Sequence, residues 1–380
     1  FHHHNQFSIR DGYGTEKQVV QRLLELKIPG FSLTNHGNIN AHYRQYKESK
    51  EVGLKPVFGI EFYYNKNRKE LRDILKEEKD TKEIRERRKE LGKQTYHLTV
   101  LAKNEKGYKD IIRINNTAVI ESFYKFPLID FDLLKTGIGN LYIFSGCPAS
   151  YISRSLLEGN IDQALNEIEL FQEHFKDDFF IELMSTSFSL QKQLNDSLIK
   201  ISEDRNIKRV VSTDSHYVYP EDARVHEILM LSRNNATYED LDDENKKVWT
   251  FTEKDYYIKT KQEIIDNQCL DASYSEDAIK NNNDLFSKIE YFDFDISVKL
   301  PKFSSNPLKD MLLSIKTGLK EKNVELTEEV DKRLKEEVNV IVKTGHIDYF
   351  LILSDVIKWT KNKFGRNSVG CGRGSAGGSL

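Results

Sequence analysis

Residues 30 to 64, GFSLTNHGNINAHYRQYKESKEVGLKPVFGIEFYY, contain one complete β-α-β pattern. The apolar run at 30–36 ends in a polar cluster, a polar helical stretch follows, and PVFGIEFYY at 56–64 predicts a second, buried strand. Near-continuous apolar strands that alternate with helices are typical of a parallel sheet covered on both faces. This stretch therefore predicts an α/β fold.

The same alternation extends through about the first 220 residues. Further strands are predicted at HHHNQF, YHLTVLA, NLYIFSG, DFFIELM and KRVVSTDSH, which makes seven with the two above. Between the first two strands, Thr15 and Gln18 have the spacing of a capping box and precede an apolar stripe, which predicts a helix. So many successive β-α units favour a closed barrel built on a parallel sheet.

Two parts of the chain break this alternation. Residues 67–94 are dense in both signs of charge, which predicts an exposed helical hairpin and places a charged insertion near 65–95. After residue 220 the alternation fades, and the two prolines of LPKFSSNPLKD predict a linker before longer helical runs. We therefore expect one domain over 1–285 and a second over 286–380, whose glycine-rich end indicates a piece of a longer protein.

Composition excludes few classes of function. The 380 residues suffice for roughly two domains, and Lys+Arg 57 against Asp+Glu 60 leaves a net charge of -3. Any nucleic-acid surface would therefore be a local patch. No apolar run approaches the ~20 residues of a membrane span, so we expect a cytoplasmic protein without a membrane partner. The three separated cysteines, Cys147, Cys269 and Cys371, predict reduced thiols.

Three consecutive histidines, His2 to His4, have two opposite interpretations, since they could be a tag remnant or one corner of a metal site. On an extended segment His2 and His4 share one face, and His3 points to the other. Further ligand-type residues lie at or near the ends of predicted strands, at the beginning of YHLTVLA (His97) or in the loop after the first strand: Asp11, His36, Glu61, His97, Cys147, Asp214 and His216. Strand ends meet at one mouth of a barrel, and imidazole, carboxylate and thiolate bind zinc, manganese and iron. The pattern predicts a shared metal site.

The remaining candidates have simpler interpretations. His42, His174 and His226 lie on helical patterns, and we expect solvated or capping side chains there. Cys147 by itself also fits a small buried apolar residue. The combination of paired His-x-His and Asp-x-His residues, rather than any single residue, supports the metal site.

The motifs HHHNQFSIRDG, TNHGN, GIEFYY, YHLTVLAKNEKGY, FSGC and STDSHYVYPEDARVHEIL together resemble the polymerase-and-histidinol-phosphatase (PHP) domain of bacterial C-family replicative DNA polymerases. TGHIDYFLILSDVIKW followed by GCGRGSAGGSL resembles the start of that family's palm domain. The resemblance covers nearly the whole chain in the family's order. It implies a distorted (β/α)7 barrel of the PHP type, followed by the N-terminal part of a polymerase-beta-like α/β palm.

The resemblance also implies a set of nine metal ligands. These are His2, His4, Asp11, His36, Glu61, His97, Cys147, Asp214 and His216. In the family this set holds two or three divalent ions, here zinc, manganese or iron, and members that retain all nine residues can act as 3′→5′ exonucleases. Asp11 or His216 could in addition transfer a proton. This sequence departs from the family at Asn35, where aspartate is common, at Pro148, and at His346, where an aromatic residue is usual.

The glycine-rich end is implied to bind nucleotide. Arg373, Gly374 and Ser375 resemble the loop that contacts the triphosphate of an incoming dNTP, with Mg²⁺ in the complete palm. The family's polymerase aspartates lie downstream, so we do not expect this chain alone to polymerise DNA. The implied partners are a DNA primer–template, dNTP, and a sliding clamp and replisome subunits that bind mostly beyond residue 380.

Three functions compete at the metal site. The complete ligand set favours a proofreading 3′→5′ exonuclease over an inactive metal-binding scaffold that stabilises the polymerase. A free-standing PHP phosphatase would explain the ligands but not the palm-like segment.

Overall fold

A computed structural model describes residues 1–9, 11–77, 81–241, 243, 246, 248–251, 253–297, 299–370, 372 and 378–380. The chain divides into two compact units, Phe1–Phe294 and Asp295–Leu380. The boundary expected after residue 285 falls inside the last helix of the first unit. Cys147 and Cys269 are free thiols, as predicted. Cys371 and the nucleotide-loop candidates Arg373, Gly374 and Ser375 lie outside the described residues.

The first unit combines strands and helices. The described part contains eight strands: β1 (Gly30–Leu33), β2 (Lys55–Tyr64), β3 (Tyr96–Ala102), β4 (Phe123–Tyr124), β5 (Phe126–Ile129), β6 (Leu141–Phe144), β7 (Phe179–Met184) and β8 (Arg209–Ser212). Its α-helices are α1 (Glu16–Glu25), α2 (His42–Val52), α3 (Arg68–Leu75), α4 (Lys82–Lys93), α5 (Glu105–Glu121), α6 (Phe131–Leu134), α7 (Tyr151–Leu157), α8 (Ile161–Phe175), α9 (Gln191–Asp204), α10 (Ala223–Arg233), α11 (Lys261–Ile265) and α12 (Ala272–Lys288).

The second unit is helical in its described part, with α13 (Pro307–Glu321), α14 (Glu328–Lys343) and α15 (Ile347–Phe364). Each of the first two begins at a side-chain cap, because Asn306 and Thr327 accept hydrogen bonds from backbone N–H groups of the first turn. Across both units, none of the described helices is long and apolar enough to cross a membrane.

The sheet has the order β4-β5-β2-β3-β6-β7-β8, and β1 also pairs with β2. The pairs β1–β2, β2–β5, β6–β7 and β7–β8 are parallel, whereas β3 is antiparallel to both of its neighbours. The expected parallel sheet is therefore wrong at β3. The charged insertion explains the reversal, because α3 and α4 form a hairpin that returns the chain to the edge where β2 ends.

The opening HHHNQF is not a regular strand, which corrects a second expectation. Residues 2–4 form an extended segment with a single parallel bridge between His3 and Ser215. The His3 carbonyl accepts from Thr34 N–H at 2.9 Å, and the Ser215 carbonyl accepts from His4 N–H at 2.7 Å. The segment thus lies between the ends of β1 and β8. The mixed α/β fold with a curled, barrel-like sheet agrees with the prediction.

Helix α1 shows how local sequence fixes this region. Thr15 Oγ1 accepts from Gln18 N–H, and Gln18 Oε1 accepts from Thr15 N–H at 2.9 Å, which confirms the predicted capping box. Val19, Val20 and Leu23 on the same helix are buried. The helix therefore packs its apolar face against a core that includes Leu33 of β1 and Val218 after β8.

Candidate metal centre

The nine predicted ligands converge at one edge of the sheet, where β1, β2 and β8 end and β3 begins. Three groups of described residues have ligand atoms within 4.8 Å of one another: His4, His36 and His216; His2, His4 and Asp214; and His36, Glu61 and His97. Asp11 joins them through its Oδ2, which is 3.5 Å from His36 Nε2. Cys147 joins through its Sγ, which is 3.4 Å from Glu61 Oε1.

Glu61 lies at the middle of this cluster. It is 1% exposed, and its Oε2 is 2.6 Å from His36 Nδ1 and 3.0 Å from His97 Nδ1. Its Oε1 is 3.2 Å from His2 Nε2. Burial raises the pKa of Glu61, but the three imidazoles outweigh burial and hold that pKa well below its usual value. The side chain is therefore a carboxylate shared among several ligand-type groups.

Glu182 orients His2, and sequence reasoning missed it. Its Oε1 is 2.9 Å from His2 Nδ1 and accepts from Ser212 Oγ at 2.6 Å. Burial lowers the pKa of His2, but nearby carboxylates, Glu182 among them, outweigh burial and raise it well above the usual value. A metal ion that displaces the Nε2 proton would leave Nδ1–H donating to Glu182. The available signal was an acidic residue inside the apolar run DFFIELM.

His4 and His216 are oriented in the same way. Ser8 Oγ donates to Asn35 Oδ1 at 2.8 Å, so it accepts from His4 Nδ1, which lies 2.8 Å away. His216 Nδ1 donates to the Asp214 carbonyl at 2.7 Å. Both imidazoles therefore present Nε2 to the cluster. Asn35, which stands where the family commonly has aspartate, orients His4 indirectly by accepting the Ser8 hydrogen bond.

Several buried ligand atoms of the cluster face one another rather than a hydrogen-bond partner outside the cluster. Among the described residues, six buried ligand atoms have no hydrogen bond of good geometry: His2 Nε2, His4 Nε2, Asp11 Oδ1, His36 Nδ1, Glu61 Oε2 and Asp214 Oδ1. Buried polar groups normally have partners, and each one without a partner costs free energy. Nitrogen and carboxylate donors directed at a common space fit divalent cations such as zinc, manganese or iron.

His3 differs from its two neighbours. It is buried, its Nδ1 is 2.8 Å from Ser215 Oγ, and burial lowers its pKa to about 3. It belongs to none of the three ligand groups found among the described residues. The alternation expected for residues 2–4 therefore holds, although the segment is not a regular strand.

Two helical histidines correct the expectation of solvated or capping side chains. His42 and His226 are both buried, and burial lowers the pKa of each to about 4. His42 Nε2 donates to the Gly59 carbonyl at 2.8 Å, and His226 Nε2 donates to the Asp11 carbonyl at 2.9 Å. The first supports β2, and the second holds the loop that carries a predicted ligand.

Asp11 and His216, the candidates for proton transfer, line an open cleft of about 660 Å³. Arg233 Nη1 donates to Asp11 Oδ2 at 2.9 Å. Burial raises the pKa of Asp11, while His36 and Arg233 oppose that rise. Burial lowers the pKa of His216 well below its usual value. A buried neutral imidazole and a largely buried carboxyl thus border the same cleft.

Comparison with known proteins agrees with this geometry. The PHP domain family matches residues 1–186, and the bacterial DNA polymerase III alpha NTPase domain matches residues 309–380. DNA polymerase III subunit alpha of Borreliella burgdorferi is 32% identical over 390 residues, covering 100% of this chain and 31% of that protein. The chain is similar over its whole length to DNA polymerase III alpha subunits.

Two other DNA polymerase III alpha subunits show the same coverage. The subunit of Aquifex aeolicus is 29% identical over 398 residues, covering 100% of this chain and 32% of that protein. The subunit of Thermus aquaticus is 26% identical over 445 residues, covering 100% of this chain and 34% of that protein. The chain thus spans about a third of the length of these relatives, and the resemblance predicted from the motifs is confirmed.

Proposed function

We propose that this chain is the N-terminal part of a replicative DNA polymerase alpha subunit whose PHP domain removes nucleotides from DNA 3′ ends. The observation that carries the proposal is the cluster of buried ligand atoms that lack good hydrogen bonds and lie beside an open cleft. A cation site that only stabilised the fold would not need a cleft large enough for a nucleotide. Sites for small ligands occupy about 300–1,000 Å³.

The chemistry follows from the residue types. The proposed ligands are the nine residues His2, His4, Asp11, His36, Glu61, His97, Cys147, Asp214 and His216. Two or three divalent ions held by them would neutralise the negative charge of a phosphodiester and lower the pKa of a bound water molecule. Arg233 fixes Asp11 toward the cleft, so Asp11 can hold or release a proton there. Because His216 Nδ1 is committed to the Asp214 carbonyl, its Nε2 either binds a metal ion or, where no ion is bound to it, accepts a proton.

An inactive metal-binding scaffold is the second candidate. The depth of the ligands favours it, since His4 is fully buried and Glu61 nearly so. Such a centre would tie together the segments after β1, β2 and β8. A free-standing phosphatase is a weaker candidate because residues 309–380 match a polymerase family.

The second unit extends the proposal. We assign Arg373, Gly374 and Ser375 to the triphosphate of an incoming dNTP, with Mg²⁺ bound in the complete palm. The proposed partners are a DNA primer–template, a sliding clamp and replisome subunits, and the proposed location is the cytoplasm.

The decisive experiment compares the parent chain with His4→Gln and His3→Gln on a 3′-labelled primer–template with manganese or zinc. We expect the parent and His3→Gln to release the label and His4→Gln to lose this activity. If none of the three proteins releases the label but His4→Gln melts at a lower temperature than the parent, the exonuclease proposal is wrong and the metal-binding scaffold is supported.

A further inference from the structure

An aromatic stack leads away from the ligand cluster along the cleft. The rings of Tyr63 and Phe126 are stacked, with centroids 4.1 Å apart and planes at 22°. Tyr63 also meets the ring of His97 edge-on at 5.6 Å and lies 6.0 Å from the ring of His36. Both Tyr63 and Phe126 line the cleft, and Phe126 is 37% exposed. An aromatic surface thus begins at two proposed ligands and ends in solvent.

The backbone is built closely around this stack. Gly37, directly after His36, has φ +59°, and a Cβ there would lie 2.9 Å from Pro127 Cγ and 3.0 Å from the Tyr63 ring. Any larger residue would displace the stack or the loop. The stack and the ligand loop are therefore held in a fixed relation.

Two cations lie on the same cleft. Arg154 and Lys93 line it, and both side chains are exposed. In the part of the chain that the structure describes, neither side chain forms a hydrogen bond or an ion pair. Free cations near an acidic centre suit a ligand whose negative charge extends beyond the reacting phosphate, as in a nucleic-acid backbone.

We propose that the stack formed by Tyr63 and Phe126 receives the base of an unpaired nucleotide at the DNA 3′ end, while Arg154 and Lys93 contact backbone phosphates. This inference rests on the proposed exonuclease. Aromatic surfaces beside cations bind single strands with little dependence on sequence, because every base has a π-face. A paired terminal base must first leave its duplex, at a cost that is smaller for a mismatched base. The subsite therefore favours frayed or mismatched ends.

The test measures binding of two labelled single-stranded oligodeoxynucleotides, one with a normal 3′-terminal nucleotide and one with an abasic terminus. Phe126→Ala is compared with the parent and with Phe123→Ala. Phe123 lies on the adjacent strand β4, is 55% exposed and does not line the described cleft. We expect the parent and Phe123→Ala to bind the normal end about 5- to 150-fold more tightly than the abasic end. Phe126→Ala should show nearly equal binding of the two.

The phosphate contacts have a separate readout. Arg154→Gln should weaken both oligodeoxynucleotides equally and reduce the slope of log affinity against log salt by about 0.7. An unchanged slope overturns this part of the assignment.

The failure of the subsite and the failure of the exonuclease give different results. If the parent releases a 3′ label but Phe126→Ala discriminates between the two ends as well as the parent does, the subsite is overturned and the exonuclease stands. If the parent discriminates but releases no label with manganese or zinc, the subsite stands and the exonuclease fails. If the parent binds neither oligodeoxynucleotide, both proposals are overturned.

Discussion

Glu182 should control the affinity of the metal centre through His2, although it is not one of the nine proposed ligands. It is 1% exposed and lies 2.9 Å from His2 Nδ1. Glu182→Gln keeps the size of the side chain and one acceptor oxygen, but it removes the negative charge. A carboxylate in this position makes the imidazole a better donor to a metal. We therefore expect Glu182→Gln to bind metal more weakly.

The size of the effect follows from comparable sites. Loss of a hydrogen-bond partner of a ligating histidine lowers metal affinity roughly 10- to 100-fold. This factor equals about 1.4 to 2.8 kcal/mol of binding free energy. A metal that binds only the folded state stabilises it by RT ln(1 + c/Kd), where c is the free metal concentration, so at saturating free metal the unfolding free energy should fall by a similar amount.

Chelator competition with zinc or manganese measures the affinity, and Glu167→Gln is the matched control. Glu167 is also 1% exposed, but it accepts from Tyr64 Oη at 2.7 Å and Lys66 Nζ at 2.6 Å rather than from a proposed ligand. Glu167→Gln should lower stability and leave metal affinity unchanged. Equal affinity of Glu182→Gln and the parent, or equal losses in both variants, would refute the argument.

Three further predictions concern metal content, acid stability and chelation. Mass-spectrometric metal analysis should find less metal in His4→Gln and nearly parental content in His3→Gln, whereas equal losses would contradict the alternation of residues 2–4. Since burial lowers the pKa of His42 to about 4 from 6.5, acidification from pH 6.5 toward 4 favours the unfolded state, by about 2 kcal/mol at pH 5. In urea unfolding, His42→Gln should lack this part of the pH dependence. The same slope of unfolding free energy against pH in His42→Gln and the parent would refute it. EDTA should lower the melting temperature of the metal-loaded parent more than that of His4→Gln, and equal shifts would contradict metal binding there.

Sequence could predict the ligand cluster because its chemistry is local to strand ends. The pair Asp214 and His216 is visible as a motif, and so is His36 after an apolar run. Arg233 and His226 could not be predicted, since they reach Asp11 from a helix more than 200 positions away in the sequence. Nothing in the spacing along that helix identifies which side chains turn toward the loop. Long-range packing of α10, rather than any motif, places them there.

The direction of β3 was contained in the ligand pattern, although apolar periodicity could not reveal it. His36 and Glu61 lie at or near the ends of their strands, but His97 stands at the beginning of β3. In an all-parallel sheet the start of a strand lies at the mouth opposite to the ends of its neighbours. A single metal cluster and an all-parallel sheet were therefore incompatible expectations. The antiparallel register, which pairs Tyr63 with His97, resolves the conflict in favour of the cluster. The apolar periodicity of a strand is the same in either direction and so cannot show which end of the strand reaches the site. The position of a metal ligand within the strand can show this, and it is therefore the stronger constraint on strand direction.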